Sequence, residues 1–255
     1  MSPEGRLCTR TGLWLNDGFS VGYRVAVGDY GALSPPSRSA GSDRVAWGRF
    51  DTTGSTVYLA STPETAFQEV LSLFAQKLGS GNPLEKDAAA LGLTLEEFLA
   101  AVAEEWEEGS YMGRGCLPAQ WRNRRRLFRL ELGAPESWID IGHPDTIATI
   151  RRVLGEDLHA ATGCTDVTLA EIHAPNREVT TRIAGWMREL VLDDGTHPSG
   201  IRYTSKFGGD CFAYWLRRRD GGLGADTLRV ASGTGIGLRS DALKTAAGRL
   251  GIRCF

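Results

Sequence analysis

Histidine is scarce in this chain, with four among 255 residues, and His143, His159, His173 and His197 show no H-x-x-x-H spacing. The five cysteines, Cys8, Cys116, Cys164, Cys211 and Cys254, form no C-x-x-C pair, so neither residue type supplies a local metal-ligand set. No metal is expected. Scattered and odd in number, the cysteines argue against a disulfide framework and for reduced thiols in a cytoplasmic protein. No uninterrupted apolar run approaches the length of a membrane span, and the opening MSPEGRLCTR lacks the apolar stretch of a secretory signal. Membrane association is therefore not expected. Charge of one sign is lacking too: 29 basic residues stand against 31 acidic ones, for a formal net charge of −2. Domains that grip the phosphate backbone usually carry a strong positive excess, so direct nucleic-acid binding is not expected. A P-loop is missing, and SGTGIG from Ser232 to Gly237 leaves G-x-G-x-x-G unfinished. It reads as a turn ahead of a short helix at Ser240 to Leu250.

What is present suffices for a substantial core, with 42% hydrophobic residues in a chain long enough for one large domain. The densest information lies in WGRFDTTGSTVYLASTPETAFQEVLSLF, from Trp47 to Phe74. Within Ser55 to Ala60, Val57 and Leu59 alternate with Tyr58 and Ala60, as in a half-buried strand. A helix should follow at once, because Thr62 can cap it and Pro63 suits its first position, where a missing N–H costs nothing. Phe67, Val70, Leu71, Phe74 and Leu78 fall at helical spacing and form the inward stripe. Glu69 lies roughly opposite that stripe at about 100° per residue, facing solvent or a cleft. An arginine, Arg49, stands just before the Gly-containing turn, where it can share such a cleft with Glu69.

Other pieces surround this unit. GYRVAV sets Arg24 amid residues that prefer a sheet. GIRYTSKFGG runs from Gly200 to Gly209 and places Ser205 at a strand end, where it can donate to a ligand or cap a turn. Arg202 alternates with Tyr203 on that strand and so tends to the other face. In the middle, Thr94 and Glu97 make a capping box for a helix whose inward stripe is Leu95, Phe98, Leu99, Val102 and Trp106, with Gly109 as its stop. The other face carries Glu96, Glu97, Glu104, Glu105, Glu107 and Glu108, and Arg114, Arg122, Arg124, Arg125, Arg126 and Arg129 follow it. These read as two solvated surfaces, or as an insertion that lids a cleft. Further strands fall at Phe128 to Leu132, Trp138 to Ile141 and Phe212 to Leu216, with helices from Pro144 and behind Asn176. Strands that do not alternate regularly with helices indicate α+β.

Three motifs in order, YRVAV around Arg24, GRFDTTGSTVYLASTPETAFQEV from Gly48 to Val70, and GIRYTSKFGG with FAYW from Gly200 to Trp215, resemble the RES-domain family. The resemblance spans about residues 20 to 216, is interrupted at about 76 to 125, and does not reach the last forty or so residues. It implies a single domain over 1–255 with an ADP-ribosyltransferase-like fold of mixed sheets flanked by helices. A mainly helical insertion would occupy about 76–125, and a C-terminal extension about 217–255.

The resemblance also implies an NAD-consuming enzyme, a growth-inhibiting toxin held in check by a cognate antitoxin. Arg24 and Arg49 would hold the pyrophosphate or riboses of NAD, Arg49 also acting beside the reacting centre. Tyr58 would line the nicotinamide region, Glu69 would be the catalytic carboxylate and Ser205 would position the ligand. One departure is visible: family members often carry Asn shortly after the Ser motif, where this chain has Cys211. The acceptor stays open among water, inorganic phosphate as co-substrate, and a protein side chain, and a non-catalytic ADP-ribose-binding module is the alternative from another class.

Overall fold

The computed structural model describes residues 5–75, 83–105 and 115–255. The first segment holds β1 (Gly5–Leu7), β2 (Trp14–Asn16), β3 (Val21–Val27), β4 (Ser37–Arg38), β5 (Gly54–Ala60) and α1 (Pro63–Leu71). The second holds α2 (Pro83–Ala90) and α3 (Leu95–Glu105). The third continues through β6 (Cys116–Leu117), α4 (Ala119–Asn123), β7 (Arg125–Leu132), β8 (Trp138–Asp140), α5 (Pro144–Thr162), α6 (Leu169–His173) and α7 (Arg177–Glu189). It ends with β9 (Gly200–Thr204), β10 (Asp210–Trp215), α8 (Arg217–Asp220), β11 (Leu228–Gly235), α9 (Asp241–Arg249) and β12 (Arg253–Cys254). The class is α+β, a mixed sheet flanked by helices.

Ten strands form one sheet in the order β1-β2-β8-β9-β10-β5-β3-β7-β11, with β4 paired to β5, and β12 pairs β6 separately. Neighbours in the large sheet run antiparallel except β8 and β9. The centre of the sheet is buried on both faces, as β10 shows by strict alternation. Cys211, Ala213 and Trp215 enter a core shared with α1, α5, α6, α7 and α9, whereas Phe212, Tyr214 and Leu216 enter a second core with Phe128, Leu130 and Trp138. The strand at Gly54–Ala60 is accordingly not half-buried as its alternation suggested. Val57 and Leu59 pack into the second core, and Tyr58 and Ala60 into the first.

The seam between β3 and β5 is thin. Five pairs join β10 to β5 and seven join β3 to β7, but β3 meets β5 only at Tyr23 opposite Ala60. Beyond that pair the two halves of the sheet part, and the opening gives the cleft described below.

Helix α1 forms as its sequence dictates, with the Thr62 hydroxyl accepting from Thr65 N at 3.1 Å and Pro63 in the first turn. It stops at Leu71, earlier than the stripe suggested, so Phe74 packs from beyond the helix end. The Thr94–Glu97 capping box is formed, with Glu97 accepting from Thr94 N at 2.8 Å and Thr94 from Glu97 N at 3.2 Å. Leu99 of that helix is buried against Cys116. Leu78, Trp106, Glu107, Glu108, Gly109 and Arg114, and the side chains of Val102, Glu104 and Glu105, lie outside the described residues.

Two expectations are corrected. Ser232 to Gly235 is not a turn but the end of edge strand β11, where cross-strand pairing with β7 outweighs the low strand preference of glycine. The arginines after the insertion are not uniformly solvated. Arg122 is buried and donates to the carbonyls of Phe255 at 2.7 Å and Ile236 at 3.1 Å, and the Arg125 guanidinium stacks 4.5 Å from the Trp121 ring. The C-terminal stretch is built into the fold, since β11 completes the sheet and α9 packs on α1. Among the described residues no helix is long and apolar enough to cross a membrane.

Because Thr62 both caps α1 and contacts Thr65, removing its hydroxyl loosens the turn that precedes Glu69. Thr62→Ala should lower unfolding stability by about 1 kcal/mol, read from urea midpoints at constant slope.

Candidate active site

The turn before β5 is held by a small set of bonds that fix Arg49. Asp51 N donates to Gly48 O at 3.2 Å, and Gly48 N returns a bond to Asp51 Oδ2 at 2.8 Å. The same carboxylate accepts from Arg38 Nε at 2.9 Å and from the Tyr58 hydroxyl at 2.9 Å. Tyr58 in turn accepts from Phe50 N at 2.8 Å. Burial pushes its phenol well above the usual range, with Asp51 adding to the shift, so it stays a donor. Its hydroxyl is thus spent on the turn, and only its ring remains for the cleft.

Gly48 is required by this packing. A Cβ there would stand 2.5 Å from the Tyr58 hydroxyl and 2.7 Å from Asp51 Oδ1, both of them anchored.

The cleft encloses about 200 Å³ and is lined by Tyr23, Arg24, Tyr58, Glu69, Tyr203 and Cys211. Its floor is the first-core face of β3, β5, β9 and β10, and α1 brings Glu69 over it. The thin seam explains why Arg24 belongs to it: where the ladder between β3 and β5 fails, Arg24 Nη1 donates to Tyr58 O at 3.1 Å.

Glu69 is held from the opposite side. The Ser205 hydroxyl donates to Glu69 Oε1 and accepts from Phe207 N at 3.1 Å. The 205–209 loop can reach α1 because Gly208 and Gly209 both adopt φ +85°, and Gly209 closes against Thr65, one turn before Glu69. A Cβ on Gly209 would lie 2.4 Å from Thr65 Oγ1. Cys211, at the position where the sequence departs from the motif it resembles, sits beside this carboxylate. Burial, and then the charge of Glu69, push its thiol up to about 12, so it stays neutral at ordinary pH.

The sequence-based candidates fall into three groups. Arg24, Tyr58 and Glu69 share the cleft, and Ser205 joins them by its bond to Glu69. Arg49 does not line the cleft itself, and its charge bears on Tyr203 and Cys211 of the floor. Arg202 lies elsewhere: its guanidinium bonds Asp140 at 2.6 Å and Asp210 at 2.9 Å, so its charge is matched.

Sequence reasoning missed Tyr23, Tyr203, His173 and Arg177. The tyrosines read only as strand residues, whereas folding makes them floor. His173 stands near Arg49, and burial, then that charge, lower its pKa. Arg177 did carry a signal. It is the first residue of α7 after the Asn176 cap, where helices favour acids because the backbone dipole is positive there.

Electrostatically the site is short of acid. Arg24, Arg49 and Arg177 have no carboxylate within salt-bridge distance among the described residues. Arg24 Nε, Arg49 Nε and Arg177 Nη1 are buried without a hydrogen-bond partner among the described residues. Each such group costs about 1–3 kcal/mol in the absence of a ligand.

Comparison with known proteins adds little to this geometry. No protein-family model matches the chain, and none of the curated proteins does. A solved structure, the M. tuberculosis MbcT-MbcA toxin-antitoxin complex, aligns with 89% of this chain and 89% of its own at 14% identity and a TM-score of 0.41. Likeness at that level assigns no activity.

Gly48→Ala should displace Tyr58 from Asp51 and unseat Arg49. An unfolding loss of about 1–3 kcal/mol is expected, together with faster amide exchange at Phe50 and Asp51.

Proposed function

We propose that this protein binds NAD and cleaves its nicotinamide–ribose bond, with Glu69 as the catalytic carboxylate and inorganic phosphate or water as acceptor. The observation that carries the reading is the Glu69 carboxylate, fixed by Ser205, on one cleft with Arg24 and Tyr58. Breaking the bond between the ribose anomeric carbon and the pyridinium nitrogen sends the electron pair to nitrogen, and nicotinamide leaves neutral. Positive charge then develops on the sugar, where an oriented carboxylate stabilises the transition state more than the ground state. No acid is needed to protonate the leaving group, so a single carboxylate suffices, unlike the pair that most glycosidases require.

The remaining residues take complementary roles. Arg49 meets the diphosphate or ribose of the dinucleotide, its buried Nε having no acceptor among the described residues. Arg24 bridges the seam and adds a second cation to the cleft. The Tyr58 ring packs the nicotinamide side. Ser205 is a positioning residue, acting on the ligand through Glu69 because its hydroxyl already has two partners. Together with the three motifs, this arrangement supports an NAD-degrading enzyme of RES type on an ADP-ribosyltransferase-like fold. The biological setting proposed on the same resemblance is a bacterial toxin restrained by a cognate antitoxin.

Wild-type protein mixed with NAD should release nicotinamide, followed by chromatography with and without inorganic phosphate. Glu69→Gln should slow release by about a hundredfold or more while NAD binding, read by calorimetry, changes little. If both proteins bind NAD and neither releases nicotinamide, the site is a binding module and the cleavage reading fails.

A further inference from the structure

Arg49 and Arg177 come to the same loop from different elements, the first carried by the turn before β5 and the second by the start of α7. Neither has a carboxylate partner among the described residues, and each keeps a buried N–H without an acceptor. Among the described residues Arg177 has a single side-chain bond, from Nε to Trp47 O at 3.1 Å, which orients its plane. That bond ties it to the loop that carries Arg49, two residues further on. The two cations also repel: after burial, the Arg49 charge is the largest influence lowering the Arg177 pKa. His173, the last residue of α6, feels the same charge and, being partly buried, is disfavoured as a further cation.

Two guanidiniums without carboxylate partners, brought to one loop by the bond from Arg177 to Trp47 O, are unfavourable in the unliganded protein, and the dipole of α7 adds to the positive potential at Arg177. One kind of ligand relieves all of this, an anion with several oxygens spanning both forks. We infer that Arg177 and Arg49 form a clasp for a phosphoryl group, and that Arg177, absent from the three sequence motifs, is one of the ligand-binding residues of this site.

The clasp deepens the NAD reading, since it rests on that reading for the identity of its dinucleotide ligand. Its chemistry fits either the diphosphate of a dinucleotide or free inorganic phosphate. Arg24 stays bound to Tyr58 O, so the clasp leaves the seam to that residue.

The test titrates inorganic pyrophosphate and, separately, inorganic phosphate into wild type, Arg177→Gln and Arg49→Gln by calorimetry, with exposed Arg229→Gln as control. Each of the first two substitutions should weaken binding roughly tenfold or more, as expected for loss of charge-assisted bonds, and the control should match wild type. Arg49 makes no side-chain hydrogen bond among the described residues, so its variant should melt as wild type does and serve where Arg177→Gln folds poorly. Tighter pyrophosphate binding identifies the diphosphate as the ligand, and equal affinities identify a single phosphate. Unchanged affinity in Arg177→Gln, or no binding of either anion to wild type, overturns the clasp. Arg177-dependent pyrophosphate binding in a protein that releases no nicotinamide would keep the clasp and remove the cleavage reading. Nicotinamide release with Arg177-independent anion binding would do the reverse.

Discussion

Everything at the site depends on the incomplete pairing of β3 with β5. A sheet of this width would be continuous if its ladders ran full length, and a continuous sheet offers no place for a ligand between strands. Here the two halves meet at Tyr23 and Ala60 and then part, and the guanidinium of Arg24 takes one of the carbonyls that the missing ladder leaves open. The seam holds because each half is otherwise well anchored. On one side β5 is paired to β10 through five residues, and on the other β3 is paired to β7 through seven. Both faces of the sheet are filled, so the opening is a shaped cleft and not a tear.

Around that opening the fold separates rigid supports from unsatisfied groups. Asp51 is fully engaged by Gly48, Arg38 and Tyr58, and the Ser205 hydroxyl by Glu69 and Phe207. Those bonds hold the turn and the loop that present Arg49 and Glu69. Among the described residues Arg24, Arg49 and Arg177 have no carboxylate partner, in contrast to Arg202, whose charge is matched by two aspartates. A protein organised only for stability would pair all four alike, because buried charge without a partner is costly.

Much of the local architecture was readable from the residues. Thr62 and Pro63 start α1, Thr94 and Glu97 start α3, and Asn176 starts α7, in each case through bonds within three residues of one another. Glu69 was recognisable as a residue off the apolar stripe. The edge strand through Ser232 to Gly235 was not legible, because its glycines lower local strand preference and only the neighbour β7 supplies the compensating bonds. Arg122 was misread for a similar reason: its partners, Ile236 and Phe255, lie more than a hundred residues away.

By itself the sequence determined the α+β class, the caps, the strand alternation and the identity of an arginine, a glutamate and a serine worth watching. These follow from contacts a few residues long, for which the chain's own order is sufficient information. Only the tertiary structure decided that Ser205 serves Glu69, that the Tyr58 hydroxyl is closed off by Asp51, that Arg202 is neutralised, and that Arg177 stands with Arg49. Each of those outcomes is a choice of partner across a long stretch of chain. Hydrogen bonds and charges act through space, and which groups come within reach is set by how the sheet and helices pack.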